Sequence, residues 1–498
     1  MVEDKKQSDK KKTRLFWRTF RWIGICFLIL LLITLVVFRA PWKVITLLAI
    51  VLAACIFLPI TYRKWFWLLV SAVLIALIIW IFLPEDNESW RPYIFDKEIA
   101  IHEAEYAIPD EENAAIIYNE LLQQYDPKKM GLKFLRPGVR EVVLSGPWTN
   151  ADYPELVQWL HGHENAIRIL PRAGRIKTCR FPGNFRLTVA DKLQVNRYTA
   201  LKSWAVLLLL SGNNDIAKGR LDEGLLKYIC ALQIADHLYQ QKRITDFLIS
   251  FAIEGLALLP INRLVIKEQL NDKQLRIVSD NLSNLENNWS SDFLQCLEYD
   301  KLFVKNIFCG LVFEKDAKDR VRYSRHPADA IWERFRMRKL RETYWQRKSM
   351  KAYAILTWFT LPATPQKAAE IIEKIYEKHH ALAEPGYSWD KEKIAPPPSL
   401  EFNCQFLIWA LTNRTSRLYG GFHDIYLKRL AQRRGSRLLI AIKQYNIENG
   451  GWPASLNVIK SRVPAEALID PANGNEFEYE NHDKTFSLFG ETINIWPK

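Results

Sequence analysis

Three long apolar runs open the chain, and the pattern that follows them is of a different kind. Trp22 to Phe38 carries no charge in 17 residues, Val44 to Ile60 is a second run of that length, and Trp65 to Leu83 is a third of 19. Each is long enough to cross the hydrocarbon core of a bilayer as a helix. Past residue 84 the apolar positions become periodic. Ala114, Ile117, Tyr118, Leu121, Leu122 and Tyr125 form one helical stripe behind an opening at Pro109-Asp110-Glu111. Asn150 is a cap for a second helical pattern that runs through Leu156, Trp159, Leu160, Ile167 and Leu170 up to Pro171. Residues 90–108 are expected to be an irregular connection. Residues 127–149, with Pro137-Gly138 and the consecutive Val142, Val143 and Leu144, are expected to form a short strand or an extended loop.

From Arg197 to about Val312 the pattern predicts successive helices with breaks at Gly212-Asn213-Asn214, Gln240 to Arg243 and Gln269 to Lys273. Thr364 as a cap with Pro365 at the first helical position predicts a helix to His380, and a long helix is predicted from Gly421 to Asn446. The fold class is therefore mainly α: three N-terminal transmembrane helices, a soluble region of helical hairpins, and a small α+β C-terminal module. The expected divisions are a basic tail at 1–21, a membrane anchor at 22–84, a helical domain at 85–383, a Pro-containing linker at 384–399, and a helix plus small antiparallel sheet at 400–498.

Charge sets the orientation of the anchor. Lys5, Lys6, Lys10, Lys11, Lys12, Arg14, Arg18 and Arg21 precede the first run against Glu3, Asp4 and Asp9, so the tail is expected to stay in the cytoplasm. No small-residue cleavage site follows the first run, which argues for an anchor and against a removed signal peptide. Three crossings put residue 84 onward on the extracytoplasmic side of an inner (plasma) membrane, where Glu85, Asp86 and Glu88 emerge first. The short loops do not discriminate, since Arg39 and Lys43 balance Arg63 and Lys64. A hairpin of Val44 to Ile60 dipping into the membrane would leave the soluble region cytoplasmic.

Two stretches carry a family resemblance. Ala217-Lys218-Gly219-Arg220-Leu221-Asp222-Glu223-Gly224, running on to Tyr228, Ala231 and Leu232, resembles the turn and second helix of a tetratricopeptide repeat. There small residues at Gly219, Gly224 and Ala231 let two helices approach while Leu225, Tyr228 and Leu232 fill the groove. One such unit is found, so helical hairpins follow and a full superhelix does not. Near the end, Gly450-Gly451-Trp452-Pro453, Asp470-Pro471-Ala472-Asn473-Gly474-Asn475 and Phe486-Ser487-Leu488-Phe489 are similar to the C-terminal half of type II secretion pseudopilins. That resemblance implies a helix, a Gly-x-x-Pro turn and a small antiparallel sheet. The chain departs from a pseudopilin in placing its other domains before this module, which argues against filament assembly. The combination of features resembles multi-span bacterial membrane proteins of unknown activity, and that likeness implies architecture alone.

Candidate chemistry is sparse. Nucleophile elbows, phosphate-cradling glycine loops, dinucleotide fingerprints and zincin motifs do not occur, and no cofactor is implied. Glu254 stands almost alone as a charge in Phe247-Leu248-Ile249-Ser250-Phe251-Ala252-Ile253-Glu254-Gly255-Leu256, where burial would raise its pKa and suit it to proton transfer. The alternative is a pairing with an arginine of a neighbouring helix. His237 on the preceding helix is the second catalytic candidate. His161 and His163 with Glu164 are metal candidates, set against the reading that neighbours two apart point to different sides of a helix. Cys179, Cys230, Cys296, Cys309 and Cys404 lack CxxC pairing and sit among apolar neighbours, as small buried hydrophobes do.

The most basic folded stretch runs from Lys315 to Lys351, where thirteen Lys or Arg face five Asp or Glu for a local net of +8. Within it Trp332, Phe335, Tyr344 and Trp345 interleave with Arg334, Arg336, Arg338, Lys339, Arg341, Arg347 and Lys348. On the extracytoplasmic side the expected partner is an envelope protein, an anionic envelope polymer or an anionic lipid headgroup; nucleic acid becomes the partner to consider if the region is cytoplasmic. A solvated helical face is the plain alternative in a chain of net charge +14. Two functions are compatible with these features: a membrane-anchored scaffold or interaction protein, and an envelope hydrolase without a recognisable motif that would use Glu254 or the His161/His163 region.

Overall fold

The structure is a computed structural model and describes residues 90–183, 185, 190–268, 270–283, 288–317, 319–323, 364–384, 405–482, 485–491 and 493–496. The three expected spans, most of the basic stretch and nearly all of the linker lie outside these residues. The described residues are mainly helical and fall into two compact units, one drawn from 90–95, 304–323, 364–375 and 405–414, the other from 96–303, 376–384 and 415–496.

The smaller unit holds an antiparallel sheet of β1 (Arg91–Pro92), β2 (Phe313–Lys315) and β3 (Val321–Tyr323), with Arg91 opposite Lys315 and Phe313 opposite Tyr323. Pro92 sits in an edge strand, where a missing N–H costs no ladder bond. Asp316 closes the β2–β3 connection, its carboxylate accepting from the Arg320 backbone N–H at 2.9 Å and from its Nε at 2.6 Å. In the same unit Lys305 pairs with Glu373 at 2.7 Å.

The larger unit begins with α1 (Asp96–Glu105), so the stretch expected to be irregular contains a helix. Its acidic first turn complements the helix dipole, a signal that outweighs its weak apolar pattern. α2 (Ala114–Gln123) starts later than Pro109 because the Asn113 side chain accepts from the Ala115 N–H and caps it there; a single 3₁₀ turn occupies Asp110–Glu112. The expected strand near residue 142 is instead α3 (Pro137–Ser145), with Pro137 in its first turn and Val143 and Leu144 buried. α4 (Pro154–His161) and α5 (Glu164–Arg175) divide at Gly162, and Pro171 lies inside α5.

Three long helices form the centre: α6 (Ala190–Ala217), α7 (Leu221–Tyr239) and α8 (Ile244–Lys267). The break expected at Gly212-Asn213-Asn214 does not occur. Asn213 Nδ2 caps α3 by donating to the Val143 and Leu144 carbonyls at 2.6 and 3.2 Å, and its Oδ1 accepts from the Tyr228 hydroxyl. Gly212 is a close-approach residue, since a Cβ there would lie 2.8 Å from Tyr228 Cε1 and 3.0 Å from the Gly224 carbonyl. Breaker residues thus serve contacts between helices. The α6–α7 turn does require glycine, because Gly219 holds φ +80°.

Among the described residues α8 alone is long and apolar enough to cross a membrane, but most of it is buried inside the protein, as a core helix is. Phe247, Phe251, Ile253, Ala257, Ile261 and Val265 are each at most 1% exposed. Helices α9 (Asp272–Ser283), α10 (Trp289–Val312) and α11 (Pro365–His380) follow, and Thr364 Oγ1 caps α11 by accepting from the Lys367 N–H. The last helix, α12 (Gln405–Asn449), starts earlier than expected.

A C-terminal antiparallel sheet of β4 (Glu478–Asn481), β5 (Phe486–Phe489) and β6 (Asn494–Trp496) packs on α12. Leu438, Ile442, Ile459, Phe486 and Leu488 are its buried centre. Gly435 admits Ile495, whose atoms would lie 2.6 Å from a Cβ. The Asn473-Gly474 turn has Gly474 at φ +76°. Asp470 is consumed by this module: its carboxylate accepts from the backbone N–H of Ala472 and Glu491 at 2.9 and 2.6 Å.

Candidate functional site

Glu254 lies on α8 and is 2% exposed. Arg433 on α12 meets it as a two-pronged fork, Nε to Oε1 and Nη2 to Oε2, both at 2.8 Å. Planar guanidinium and carboxylate match in this geometry, so both charges are satisfied in a place where either alone would be costly. Gly255 makes room for the neighbouring Arg429, which would lie 1.9 Å from a Cβ.

His237 is engaged at both ring nitrogens, Nε2 with the Ile176 carbonyl at 2.8 Å and Nδ1 with the Tyr118 hydroxyl at 2.9 Å. A carbonyl can only accept, so Nε2 carries the proton and Nδ1 accepts from Tyr118. Burial lowers the His237 pKa to about 4, which keeps the ring neutral. The two catalytic candidates are therefore each closed by partners of their own.

His161 and His163 diverge. His161 Nδ1 meets Glu164 at 2.8 Å on an exposed surface. His163 Nδ1 meets the Trp159 carbonyl at 2.7 Å, and its ring is tilted 45° against that of Trp159 beside a cleft of about 200 Å³ lined also by Tyr125, Lys129 and Trp204. Among the described residues no group of three His, Cys, Asp or Glu could hold a metal. Cys179, Cys230, Cys296 and Cys309 are buried. Trp332, Arg334, Arg336, Arg338, Lys339, Arg341, Trp345, Arg347 and Lys348 lie outside the described residues.

A constellation that the sequence reading missed centres on Arg180, Arg197 and Arg243. An extended segment after α5 is pinned on both sides. Asn113 Oδ1 accepts from the Arg180 N–H at 2.9 Å, and Gln241 takes the Phe181 N–H at 2.9 Å while donating to the Cys179 carbonyl at 2.7 Å. Farther along, Glu103 on α1 accepts from the Gly183 N–H at 3.1 Å. The α7–α8 turn places Lys242 at φ +52°, a conformation uncommon for a side-chain-bearing residue, between Gln241 and Arg243. Arg243 Nη2 then donates to the Phe181 carbonyl at 3.0 Å and Arg180 Nη1 to the Gln241 carbonyl at 3.4 Å.

The three arginine residues are 7%, 9% and 3% exposed, in chain order. Each lies over an aromatic ring: Arg180 over Tyr106 at 5.0 Å, Arg197 over Phe181 at 4.4 Å, Arg243 over Tyr299 at 4.7 Å. Asp246, fully buried, accepts from Tyr198 through Oδ2 at 3.0 Å, while its Oδ1 has no partner. Burial pushes the Asp246 carboxyl up against the opposing pull of Arg243, Arg197 and Arg180. His102, half-buried beside Phe185 and Tyr299, has its pKa lowered to about 4 by burial, with Arg180 and Arg243 adding to the shift. No motif unites these residues; the signal in the chain was only arginine placed next to aromatic and turn residues.

Comparison with known proteins gives no match: no family model, no curated protein and no solved structure is similar to this chain.

Proposed function

We propose that the protein is a membrane-anchored scaffold or interaction protein, held by three spans within 22–84 and presenting its helical region on the extracytoplasmic side. The observation that carries this reading is the closure of Glu254 by Arg433 and of His237 by Tyr118 and Ile176. A hydrolase built on these groups needs a carboxylate or imidazole free to move a proton, and both are occupied in holding helices together. The helical hairpins supply the complementary support. Gly224 allows α6 and α7 to lie close, since a Cβ there would lie 2.5 Å from Ile216 and 2.9 Å from the Gly212 carbonyl, while Gly219 serves the turn through its positive φ; this is the manner of a tetratricopeptide unit, a fold that binds by presenting helical surfaces. The basic stretch 315–351 is the docking element, and its partner is an acidic envelope component.

Two arms test the proposal in intact cells. A Lys498→Cys variant should react with a membrane-impermeant thiol reagent above the level of the parent chain once any outer membrane is permeabilised; reaction only after inner-membrane lysis would overturn the sidedness. Chemical cross-linking should give discrete larger species that vanish when Arg334, Arg336, Arg338 and Arg341 are all changed to Glu. An unchanged cross-linking pattern would overturn the docking role.

A further inference from the structure

Among the described residues, the larger unit holds a charge imbalance that the side chains do not resolve. Arg180, Arg197 and Arg243 bring three fixed positive charges, because guanidinium does not deprotonate in proteins. Facing them are the carboxylates of Asp246 and of Glu103, the latter 3.6 Å from Arg180 Nη2. His102 is neutral at ordinary pH and contributes nothing to the balance. Among the described residues one positive charge is left over, in a region where each arginine is more than nine-tenths buried.

The hydrogen-bond count points the same way. Nε and Nη2 of Arg180, Nε and Nη2 of Arg197, and Nε and Nη1 of Arg243 are buried and have no hydrogen-bond acceptor among the described residues, Glu103 standing off Arg180 Nη2 at ion-pair distance only. Buried donors are otherwise almost always satisfied, and an unsatisfied charged donor is the costliest kind. A cluster of open guanidinium donors has the chemistry of an oxyanion site. The contrast with Arg433 is direct, since that guanidinium meets a carboxylate in a complete fork. The aromatic rings beside the three guanidiniums offer no acceptor in their plane, so the open N–H groups, which are the parts that bind oxyanions in pairs, stay unused.

The three groups share the same neighbours. Arg243 and Arg180 bond to adjoining backbone of the Phe181 and Gln241 segments, Arg197 lies over the Phe181 ring, and Asp246 feels all three. We propose that Arg180, Arg197 and Arg243 form an enclosed binding site for an oxyanion, with a phosphate group as its ligand, carried either by a free phosphate or by a lipid headgroup. The bound group supplies the missing negative charge and the missing acceptors, and its enclosure couples occupancy to the stability of the folded unit.

The test uses the full chain in neutral detergent and phosphate-free buffer. One arm titrates inorganic phosphate at constant ionic strength with chloride as control; the other adds phosphatidylglycerol or phosphatidylcholine without free phosphate. A saturable rise in Tm with inorganic phosphate identifies a free anion, and a saturable rise with phosphatidylglycerol but not phosphatidylcholine identifies a headgroup. Arg197→Lys keeps the charge and loses the fork, so it should weaken the response about tenfold, as the loss of a charged hydrogen-bonded pair does. Because a variant can lose stability for its own reasons, the His102 imidazole is followed by NMR in the parent chain. Its pKa should rise on addition of the effective anion, which stabilises the protonated ring. The proposal is overturned if neither source raises Tm saturably, if Arg197→Lys responds like the parent, or if the His102 titration does not move.

Discussion

Two buried charged clusters in the same unit resolve burial in opposite ways. At Glu254 and Arg433 every polar atom of the carboxylate has a donor, and the pair behaves as a neutral strut between α8 and α12. At Arg180, Arg197 and Arg243 the excess charge among the described residues is positive, and six of the guanidinium nitrogens have no acceptor there. The closed pair holds the fold, whereas the open cluster waits for something from outside the chain. Burial alone therefore does not identify a functional group; the unsatisfied remainder does.

The comparison breaks first at the strut. Arg433→Met leaves Glu254 buried without a partner and should cost about 3–5 kcal/mol of stability, whereas Glu254→Leu combined with Arg433→Met should cost far less, because no charge is left behind. Urea unfolding of the full chain measures both. If the double variant is as unstable as the single one, the strut is not held by charge satisfaction.

His237 gives the next effect, and its sign follows from its neutral state. The folded protein holds the ring with a pKa of about 4 against an ordinary 6.5, so between those values the unfolded chain binds the proton and the folded one does not. Stability contributed by this residue is complete above pH 6.5 and falls as the pH drops toward 4, by about 3 kcal/mol. His102, His379 and His423 are lowered to about 4 as well, so His237→Gln should flatten the acid limb in part. An acid limb identical to that of the parent would show that His237 is not buried neutral.

Gly212→Ala tests packing without charge. The added methyl meets the Gly224 backbone at 3.0 Å as well as the Tyr228 ring, and about 1–3 kcal/mol should be lost in thermal unfolding. A neutral result would mean that α6 and α7 are farther apart. The smallest effect belongs to His161→Ala. Its pair with Glu164 is 69% exposed on both sides, so stability should change by no more than about 0.5 kcal/mol.

Particular residues show how far the chain could be understood before folding. The stripe of α2, the caps of α11, the Asn473-Gly474 turn and the closing antiparallel sheet were legible because each depends on neighbours in sequence. The missed α1 and α3 had weak or mixed local patterns, and their identity came from dipole complementarity and a first-turn proline. Of the candidate site, Glu254 and His237 were legible as isolated polar groups in apolar helices. Their partners were not, because Arg433 and Tyr118 are distant in sequence.

The order of the chain determined a mainly helical protein with three long apolar runs ahead of it, because hydrophobic length and 3.6-residue periodicity are properties of consecutive residues. Only the tertiary structure decided that Gly212-Asn213-Asn214 continues a helix, that residues 96–303 and 415–496 share one unit, and that Arg180, Arg197 and Arg243 all act on Asp246. These outcomes depend on which side chains satisfy which polar groups across the fold. That accounting has no local signature, since a donor and its acceptor need only be close in space.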